Sequence, residues 1–162
     1  MSPTLFILFI NDVVKELPKG VKAALYADDL VLWCTEEQAA TATYRMQLAL
    51  NNLSEWTEKW CLKINKDKSA VTLFTLSTQK AGKLTLGNEP LQYENEQTYL
   101  GVTFDKRLTW KAQIEKAESR ARRRLGMMRK LAGTSWGANE RTLKQVYQGN
   151  VRPILEYGSG AY

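Results

Sequence analysis

The chain has 162 residues, with 23 Lys and Arg against 17 Asp and Glu, two cysteines and no histidine. Two cysteines cannot build a disulfide framework, and a chain without histidine is a poor candidate for a zinc site. An early apolar run over residues 5–10 ends at Asn11 and Asp12, so it is too short to span a bilayer. We therefore expect an intracellular protein, in the cytoplasm and nucleus, with one compact domain or two small ones and no membrane partner.

The net charge of +6 is unevenly distributed along the chain. Residues 1–105 carry 10 Lys and Arg against 13 Asp and Glu, for a net charge of −3, whereas residues 106–162 carry 13 against 4, for +9. An acidic body followed by a basic end predicts two kinds of partner. The first part would bind cations, and the second would bind an anion such as a nucleic-acid backbone.

The first predicted element is a helix over residues 3–17, which Ser2 would cap and Pro3 would open. The turn-forming residues 18–20 end it. Its apolar residues fall near one helical face, which would pack on the rest of the domain: Leu5, Phe6, Phe9, Val13 and Leu17.

A nearly continuous apolar run over residues 23–33 is interrupted only by Asp28 and Asp29. Two turn-tolerant acids between apolar arms predict a strand, a tight turn and a second strand, with both arms buried in a sheet. Like charges held this close repel each other unless a cation neutralises them, and magnesium prefers oxygen ligands. The tip is thus a candidate site for two-metal phosphoryl transfer. The alternative is an acidic surface turn, which the apolar arms disfavour.

Residues 36–60 are predicted to form a long helix, with Thr35 and Gln38 as a capping box at its start. We expect the two tryptophans of this helix to pack in the core against the sheet rather than to bind a ligand. They belong to an apolar stripe that recurs at spacings of three and four: Ala39, Ala42, Met46, Ala49, Leu53, Trp56 and Trp60.

Several short strands are predicted in the middle of the chain. They are residues 70–74, a hairpin that joins residues 83–86 to residues 91–93, and residues 97–104. Gly101 lies inside the last of them, where a glycine weakens a strand unless another backbone approaches closely. A β-bulge explains this glycine equally well.

A helix from residue 108 to about residue 132, with Thr109 as a possible N-cap, carries most of the positive charge. A charged run usually only solvates a helix. This run has a single sign and few balancing acids, which favours contact with phosphates. Its cations lie mostly outside the apolar face of the helix: Arg120, Arg122, Arg123, Arg124, Arg129 and Lys130.

A loop over residues 133–137 separates this helix from a final one, which is predicted to begin at Ala138 or Asn139. Gly149 and Pro153 weaken or kink the final helix. The sequence has no internal repeat, low-complexity tract or flexible linker.

Four segments resemble, in the same order, parts of the reverse transcriptases of non-LTR (LINE-like, jockey-type) retrotransposons: residues 2–12, 26–29, 62–69 and 99–102. The first resembles the helix that precedes the catalytic turn, and the second resembles the YxDD signature in its Tyr-Ala-Asp-Asp form. The third resembles the L-x-I-N-x-x-K-S/T segment, and the fourth resembles the Y-L-G-V/I primer-grip hairpin. Residues 156–162 also resemble the Y-G-S segment that follows the thumb helices.

The resemblance implies RNA-directed DNA polymerisation assisted by Mg²⁺ or Mn²⁺. The substrates would be deoxynucleotides, and the nucleic-acid partners would be an RNA template and a DNA primer. By the same resemblance, Asp28 would be the principal metal ligand and Asp29 its more weakly engaged partner. Tyr26 and Ala27 would face the primer or the incoming nucleotide.

Three further roles are implied by the resemblance. Lys68 would lie near the leaving pyrophosphate, where an ammonium group stabilises or protonates developing charge, with Lys66 as the alternative. Leu100 and Gly101 would support the 3′ end of the primer. Exposed cations of the basic helix would contact the nucleic-acid backbone: Arg120, Arg123 and Arg124.

Pattern and resemblance together predict an α+β fold in two parts. Residues 1–105 would form a partial polymerase palm, an antiparallel sheet with helices on one face, which contains the acidic hairpin and the primer-grip hairpin. Residues 106–162 would form a basic, helical, thumb-like region.

One departure from the family pattern bears on activity. The family's third metal-binding aspartate precedes the helix of residues 3–17, as do the fingers that cover the incoming nucleotide, and this sequence has no residues in that place. We therefore expect a polymerase fragment that lacks the fingers and upstream palm of a parent polyprotein and does not polymerise DNA alone. The alternative is a non-catalytic, nucleic-acid-binding remnant. A plain structural domain would leave the acidic turn unexplained.

Overall fold

The structure is a computed structural model that describes residues 3–133 and 137–161. The chain divides into two compact units, residues 1–95 and residues 96–162. Helices and strands are mixed in the described residues, in agreement with the predicted α+β class. The predicted cap at Ser2 and residues 134–136 of the predicted loop lie outside the described residues. No helix in the described part of the chain is long and apolar enough to cross a membrane.

The first helix is shorter than predicted and continues as a 3₁₀ helix. Helix α1 spans Pro3–Ile10, and the 3₁₀ segment spans Asn11–Glu16. Asn11 and Asp12, at the start of the 3₁₀ segment, have low helix propensity, which favours the end of the α-helix at this point. Leu17 is extended, at φ −75° and ψ 137°, as a residue before proline tends to be. Of the predicted apolar face, Val13 is buried at 1% exposure, whereas Leu5 remains exposed.

The two acids lie at the tip of an antiparallel hairpin, as predicted. Strand β1 spans Val21–Tyr26 and strand β2 spans Asp29–Cys34. Their register leaves only Ala27 and Asp28 in the turn. The predicted order of strand, tight turn and strand is therefore confirmed.

Only one face of this hairpin is buried, because side chains alternate between the two faces of a strand. Leu25, Leu30 and Leu32 pack on the core of the first unit. Lys22 and Trp33, which are cross-strand partners, are exposed on the opposite face. The prediction that both arms are buried is therefore wrong for their outer face.

The single antiparallel sheet that the sequence predicts is not formed by the described residues, which form four separate two-stranded sheets. Strand β3 (Ala70–Val71) runs parallel to strand β6 (Gln92–Tyr93), and strand β4 (Thr85–Leu86) pairs with strand β5 (Glu89–Pro90). These strands have two residues each, too few to join the hairpins into one sheet. The predicted strands of this region are present but shorter, and β6 pairs with β3 rather than with β4.

Helix α2 spans Ala39–Lys59 and supplies the centre of the first unit's core. The predicted apolar stripe is confirmed where Leu53 and Trp56 are buried. Trp60 lies beyond the helix end and is 47% exposed, and its ring meets Phe9 edge-on, so the prediction that it is a core residue is wrong. The other buried side chains of this core come from α2, the 3₁₀ segment and the region around β4: Val13, Leu50, Leu84 and Leu86.

The start of α2 differs from the predicted capping box. Its N-cap residue is Gln38 rather than Thr35, and no side chain there accepts a capping hydrogen bond. The amide of Ala39 donates instead to Oε1 of Gln79 at 2.9 Å, from 40 residues along the chain. A distant side chain therefore satisfies an amide that local capping leaves free.

The second unit begins with a hairpin where the sequence pattern predicts one strand over residues 97–104. Strand β7 spans Glu96–Tyr99 and strand β8 spans Val102–Asp105. Leu100 and Gly101 form the turn, with positive φ angles of 46° and 79°. A type I′ turn requires positive φ at both of its central residues. Gly101 is therefore a turn residue, and the predictions of a strand interior or a β-bulge are wrong.

Three α-helices follow in the described part of the second unit, α3 (Lys111–Leu131), α4 (Glu140–Asn150) and α5 (Arg152–Glu156), and a 3₁₀ helix spans Ser159–Ala161. Helix α3 packs on β8, α4 and α5. Asn139 caps α4, because its Oδ1 accepts a hydrogen bond from the amide of Thr142 at 2.9 Å. The final helical region breaks at Val151, just before Pro153, which agrees with the predicted kink.

The boundary between the compact units falls between residues 95 and 96, whereas the palm and thumb are predicted to meet near residue 105. The boundary at residues 95 and 96 separates two sets of packed residues. The boundary near residue 105 separates two functional regions of the resembled polymerase family. The assignment of a palm and a thumb therefore stays a prediction, and the hairpin of β7 and β8 belongs by packing to the second unit.

Candidate functional site

The tip of the first hairpin presents the acidic pair at the surface of the first unit. Asp28 and Asp29 are exposed, and Tyr26 beside them is 63% exposed. Tyr26 and Asp29 are cross-strand partners, so their side chains leave the hairpin on the face opposite the core. Within residues 3–133 and 137–161, neither carboxylate has a hydrogen-bond or ion-pair partner. The negative charge at the tip is therefore free to bind a cation.

The turn holds Ala27 in the left-handed backbone region, at φ 53°. Two-residue hairpin turns need a positive φ at their first central residue, because this conformation matches the twist of the flanking strands. The left-handed conformation costs about 1–2 kcal/mol for a residue with a Cβ. The tip therefore carries local backbone strain, which the packed arms hold in place.

Two carboxylates are fewer ligands than a stable site for a divalent metal needs. In the part of the chain that the structure describes, no group of three or more Asp, Glu, Cys or His side chains is arranged to hold a metal ion. Carboxylate oxygens are nevertheless the donors that Mg²⁺ and Mn²⁺ prefer. Asp28 and Asp29 thus fit part of a metal site and leave most of the coordination sphere to water or to other ligands.

The two candidate lysines before β3 differ in their surroundings. Nζ of Lys66 lies 2.8 Å from Oε1 of Glu89 and forms an ion pair with it. Lys68 is exposed, and its ammonium group has no partner among the described residues. Asn65 orders the short 3₁₀ turn that carries both lysines, since its Oδ1 accepts a hydrogen bond from the Lys68 amide at 3.3 Å.

In the second unit, the hairpin tip, α3 and α5 line an open cleft of about 530 Å³. Three of its residues, Leu100, Gly101 and Arg120, are candidates that the sequence predicts, and the structure brings them together. Lys116 and Tyr157 also line the cleft and were not predicted. Lys116 precedes Arg120 by one helical turn, a spacing visible in the sequence. Tyr157 belongs to the segment that resembles the Y-G-S pattern, but that resemblance assigns it no place beside the hairpin turn.

Polar contacts fix one wall of this cleft. Thr103 is 1% exposed, and its amide donates to Oε1 of Gln113 at 2.9 Å. The Thr103 hydroxyl oxygen accepts a hydrogen bond from Nζ of Lys116 at 3.0 Å and lies 3.0 Å from the hydroxyl of Thr98. Because Gln113 and Lys116 belong to α3, these bonds fasten that helix to β8.

The three arginines predicted to contact nucleic acid lie on one face of α3. Arg120, Arg123 and Arg124 are separated by three and four residues, the spacing of neighbours on a helix surface. All three are exposed, and no acid within the described ranges pairs with them. Arg122 instead forms an ion pair with Glu118 at 2.7 Å.

Asp105 fixes the start of α3, a role that the sequence pattern did not predict. Its carboxylate accepts hydrogen bonds from the amides of Arg107, Thr109 and Trp110 and from the Thr109 hydroxyl, at 2.8–3.2 Å. These bonds hold the pKa of this carboxyl below its usual value, and the bond from the Thr109 amide has the largest effect. Trp110, at φ 62°, takes the N-cap position predicted for Thr109. Asp side chains commonly form turns by accepting hydrogen bonds from the backbone amides that follow them. The presence of an Asp at position 105 was therefore a sequence signal for this role.

Residues 1–104 match the family model described as reverse transcriptase (RNA-dependent DNA polymerase). The chain therefore belongs to the reverse transcriptase family. Similarity to curated retrotransposon proteins confirms the resemblance to the non-LTR branch, and the matches extend over the whole chain.

The RNA-directed DNA polymerase from mobile element jockey of Drosophila melanogaster is 26% identical, and the match covers 100% of this chain and 18% of that protein. The probable RNA-directed DNA polymerase from transposon BS of the same species is 31% identical over 143 residues, 87% of this chain and 16% of that protein. The jockey polymerase of Drosophila funebris is 29% identical over 100% of this chain and 18% of its own length. The chain thus spans less than a fifth of these relatives. No solved structure gives a significant match.

Replacing Asp105 with Asn should make the stability of the chain less dependent on pH. The pKa of Asp105 is lower in the folded chain than in the unfolded one, so its contribution is fully present above the unfolded value of about 3.9 and is lost as the pH falls through the folded value. Urea unfolding followed by helical circular dichroism should therefore show the variant as less stable at pH 7, with a difference that shrinks below about pH 4. Asp67→Asn, an exposed control, should show no such loss. A difference that stays constant from pH 7 to pH 3 would contradict this role of Asp105.

Proposed function

We propose that this chain is part of the reverse transcriptase of a non-LTR retrotransposon, and that Asp28 and Asp29 supply carboxylates to a two-metal site for nucleotidyl transfer. The hairpin tip carries the proposal: two unpaired acids lie at a two-residue turn whose arms pack on the core. Phosphoryl transfer depends on charge held in a fixed position, and a short turn on anchored arms supplies that.

In this proposal Asp28, in the turn itself, is the principal metal ligand, and Asp29 is its weaker partner. Bound Mg²⁺ or Mn²⁺ would supply activation of the primer 3′ hydroxyl and neutralisation of charge on the leaving pyrophosphate. Tyr26 and Ala27 face the primer or the incoming deoxynucleotide. The exposure of Tyr26 on the same hairpin face as Asp29 supports this role.

Lys68 is a better candidate than Lys66 for the side of the leaving pyrophosphate. The ammonium group of Lys66 is already paired with Glu89, whereas that of Lys68 has no partner in the described residues. An unpaired ammonium group stabilises negative charge that develops on a leaving group.

The second unit holds the nucleic acid in this proposal. Leu100 and Gly101 support the 3′ end of the DNA primer, while Arg120, Arg123 and Arg124 contact the backbone of the primer and RNA template. The exposed cations of α3 and the cleft beside the turn of Leu100 and Gly101 support this assignment. The palm then comprises residues 1–105, and the thumb-like region comprises residues 106–162.

A non-catalytic, nucleic-acid-binding remnant is the second candidate, and one observation favours it. The described residues offer two acids at the tip and no third side chain arranged with them to hold a metal ion. The basic face of α3, in contrast, has the exposed and unpaired cations that binding to phosphates needs. In this alternative the second unit binds nucleic acid and the acidic tip has no role.

Mn²⁺ should bind weakly at the hairpin tip of the isolated chain. Because a bound paramagnetic ion broadens nearby NMR signals, titration with Mn²⁺ should selectively broaden the amide signals of residues 26–30. The effect should need high metal concentrations, since two carboxylates leave most ligand positions to water. Asp28→Asn should abolish the broadening, and Asp67→Asn should leave it unchanged. Broadening that survives Asp28→Asn would count against Asp28 as the principal metal ligand.

The 162-residue chain alone should not extend a DNA primer on an RNA template, with either Mg²⁺ or Mn²⁺. Losing one contact that stabilises charge in the transition state lowers the rate by about 10²–10³-fold, and the tip supplies only part of a metal site. The measurement is primer extension by the unaltered chain beside the Asp28→Asn variant. Extension that occurs and then disappears in the variant would show that the family's third aspartate is dispensable or replaced, and that the chain is a working polymerase.

Replacing Arg120, Arg123 and Arg124 together with Gln should weaken binding to a primer–template duplex and reduce its dependence on salt. Each lost phosphate contact removes about 0.9 of a unit from the slope of log affinity against log salt concentration. Fluorescence anisotropy at several salt concentrations measures both quantities. A matched variant removes the same charge from exposed lysines of the first unit and should change the slope less: Lys63→Gln, Lys80→Gln and Lys83→Gln. Equal slopes for the two variants would mean that the arginines only solvate the helix.

A further inference from the structure

A contact across 57 residues of sequence links the tip of the second hairpin to the end of the chain. The hydroxyl of Tyr157 donates a hydrogen bond to the carbonyl oxygen of Leu100 at 2.6 Å. Leu100 is the first central residue of the two-residue turn, and the hairpin ladder has no donor for its carbonyl. Tyr157 therefore satisfies the backbone acceptor that the turn itself leaves open.

Two glycines allow the segments to approach each other closely. A Cβ at Gly101, where φ is +79°, would lie 3.3 Å from Cε1 of Tyr157. A Cβ at Gly158, where φ is +75°, would lie 2.8 Å from Cγ2 of Val102. Each glycine thus leaves room, by having no side chain, for the segment that packs against it. Both positive φ angles would also strain the backbone of any residue with a side chain.

Tyr157 is itself held by the local structure that carries it. It follows α5, and its amide donates to the carbonyl of Pro153 at 2.9 Å. Beyond it, the amide of Ala161 donates to the carbonyl of Gly158 at 2.9 Å. The hydroxyl therefore projects from an ordered helix end rather than from a free tail, so it is able to restrain the turn.

We propose that Tyr157 is a positioning residue that fixes the turn of Leu100 and Gly101, so that the turn, Lys116 and Arg120 together present one binding surface to the phosphodiester backbone of a nucleic-acid strand. The inference rests on the proposed function, which assigns this turn to the primer. The two turn residues, Lys116, Arg120 and Tyr157 all line one cleft. The match to the family model ends at residue 104, within β8, so the support for the turn comes from beyond the matched region.

The restraint matters because a two-stranded hairpin is only marginally stable without further packing. β7 and β8 have four residues each and pair with no other strand in the described part of the chain. Loss of the Tyr157 hydrogen bond should leave the second unit folded and loosen the turn, because α3 fastens β8 independently through Gln113 and Lys116.

The test compares Tyr157→Phe, which removes only the hydroxyl, with Tyr147→Phe in the full chain. Tyr147 lies on α4 in the same unit, and its hydroxyl has no hydrogen-bond partner among the described residues. Amide hydrogen exchange at Tyr99 and Val102, the pair that closes the turn, should be about twofold to tenfold faster in Tyr157→Phe only, the effect expected of one hydrogen bond on local opening. The thermal unfolding midpoint of Tyr147→Phe should match that of the unaltered chain. That of Tyr157→Phe should fall by only a few degrees, with the helical circular dichroism signal retained, because one hydrogen bond is lost and the unit stays folded.

Affinity for a primer–template duplex, measured by anisotropy, supplies the readout that a merely structural role would not move. It should fall by about twofold to tenfold in Tyr157→Phe with an unchanged salt slope, because no phosphate contact is removed. Gly158→Ala should give the same local pattern of exchange, since its Cβ would displace the segment from Val102. Exchange rates equal to those of Tyr147→Phe would overturn the proposal, and so would faster exchange with unchanged affinity. Failure of the arginine variant to change the slope would count against the proposed function and against the part of Arg120 in this surface. The exchange comparison tests the restraint of the turn by Tyr157 separately, because it does not depend on nucleic acid.

Discussion

The packing of the first hairpin's inner face on α2 is the interaction on which the acidic tip depends. Leu25, Leu30 and Leu32 contact a core that includes Leu53 and Trp56. Fully burying a large apolar side chain contributes about 1.5–3 kcal/mol, and these three partly buried leucines together contribute a similar amount, whereas two unit charges about 4 Å apart repel each other by roughly 1 kcal/mol in water. The core therefore outweighs the repulsion between neighbouring carboxylates. It also offsets the strain at the turn, so the hairpin is able to hold both acids in place before any cation binds.

Both candidate tips use the same backbone device, a two-residue turn with a non-glycine residue at positive φ. Ala27 has φ 53° in the first turn, and Leu100 has φ 46° in the second. Strained residues of this kind persist only where the surrounding structure holds them. The first turn is held by the apolar inner face of its arms. The second has short arms, and Tyr157 supplies a direct hydrogen bond to the turn instead.

The sequence predicts an element well where the signal is local and repeated. The apolar run with two acids at residues 28–29 predicted the first hairpin, and the stripe through Leu53 and Trp56 predicted α2. The second hairpin was missed as a pattern because a leucine at positive φ is not a recognised turn residue, although the family resemblance named a hairpin there. Burial of both hairpin faces was overestimated, because a continuous apolar run does not show whether a second layer covers the outer face.

Contacts between distant residues account for most of the remaining differences. Gln79 satisfies the first amide of α2 from 40 residues away, which no capping pattern near Thr35 reveals. Tyr157 reaches Leu100 across 57 residues, so its role could not be derived from either segment alone. The positions of the candidate acids and arginines were predictable because those residues lie within single elements. Their supporting contacts were not, since these depend on tertiary packing.

Several acids of the second unit are already engaged in local contacts, and this decides which of its cations remain unpaired. Asp105 is occupied by the backbone at the start of α3, and Glu118 pairs with Arg122 one turn away on the same helix. Glu156 likewise pairs with Arg152 on α5. Exposed ion pairs of this kind contribute only about 0–1 kcal/mol to stability. Their main effect here is on the distribution of charge, because they determine which cations stay unpaired. Arg122 and Arg152 are not among the residues that line the cleft, whereas Arg120 lines the cleft and has no acidic partner among the described residues. The local pairing of acids therefore leaves the charge beside the Leu100 turn available to an external anion.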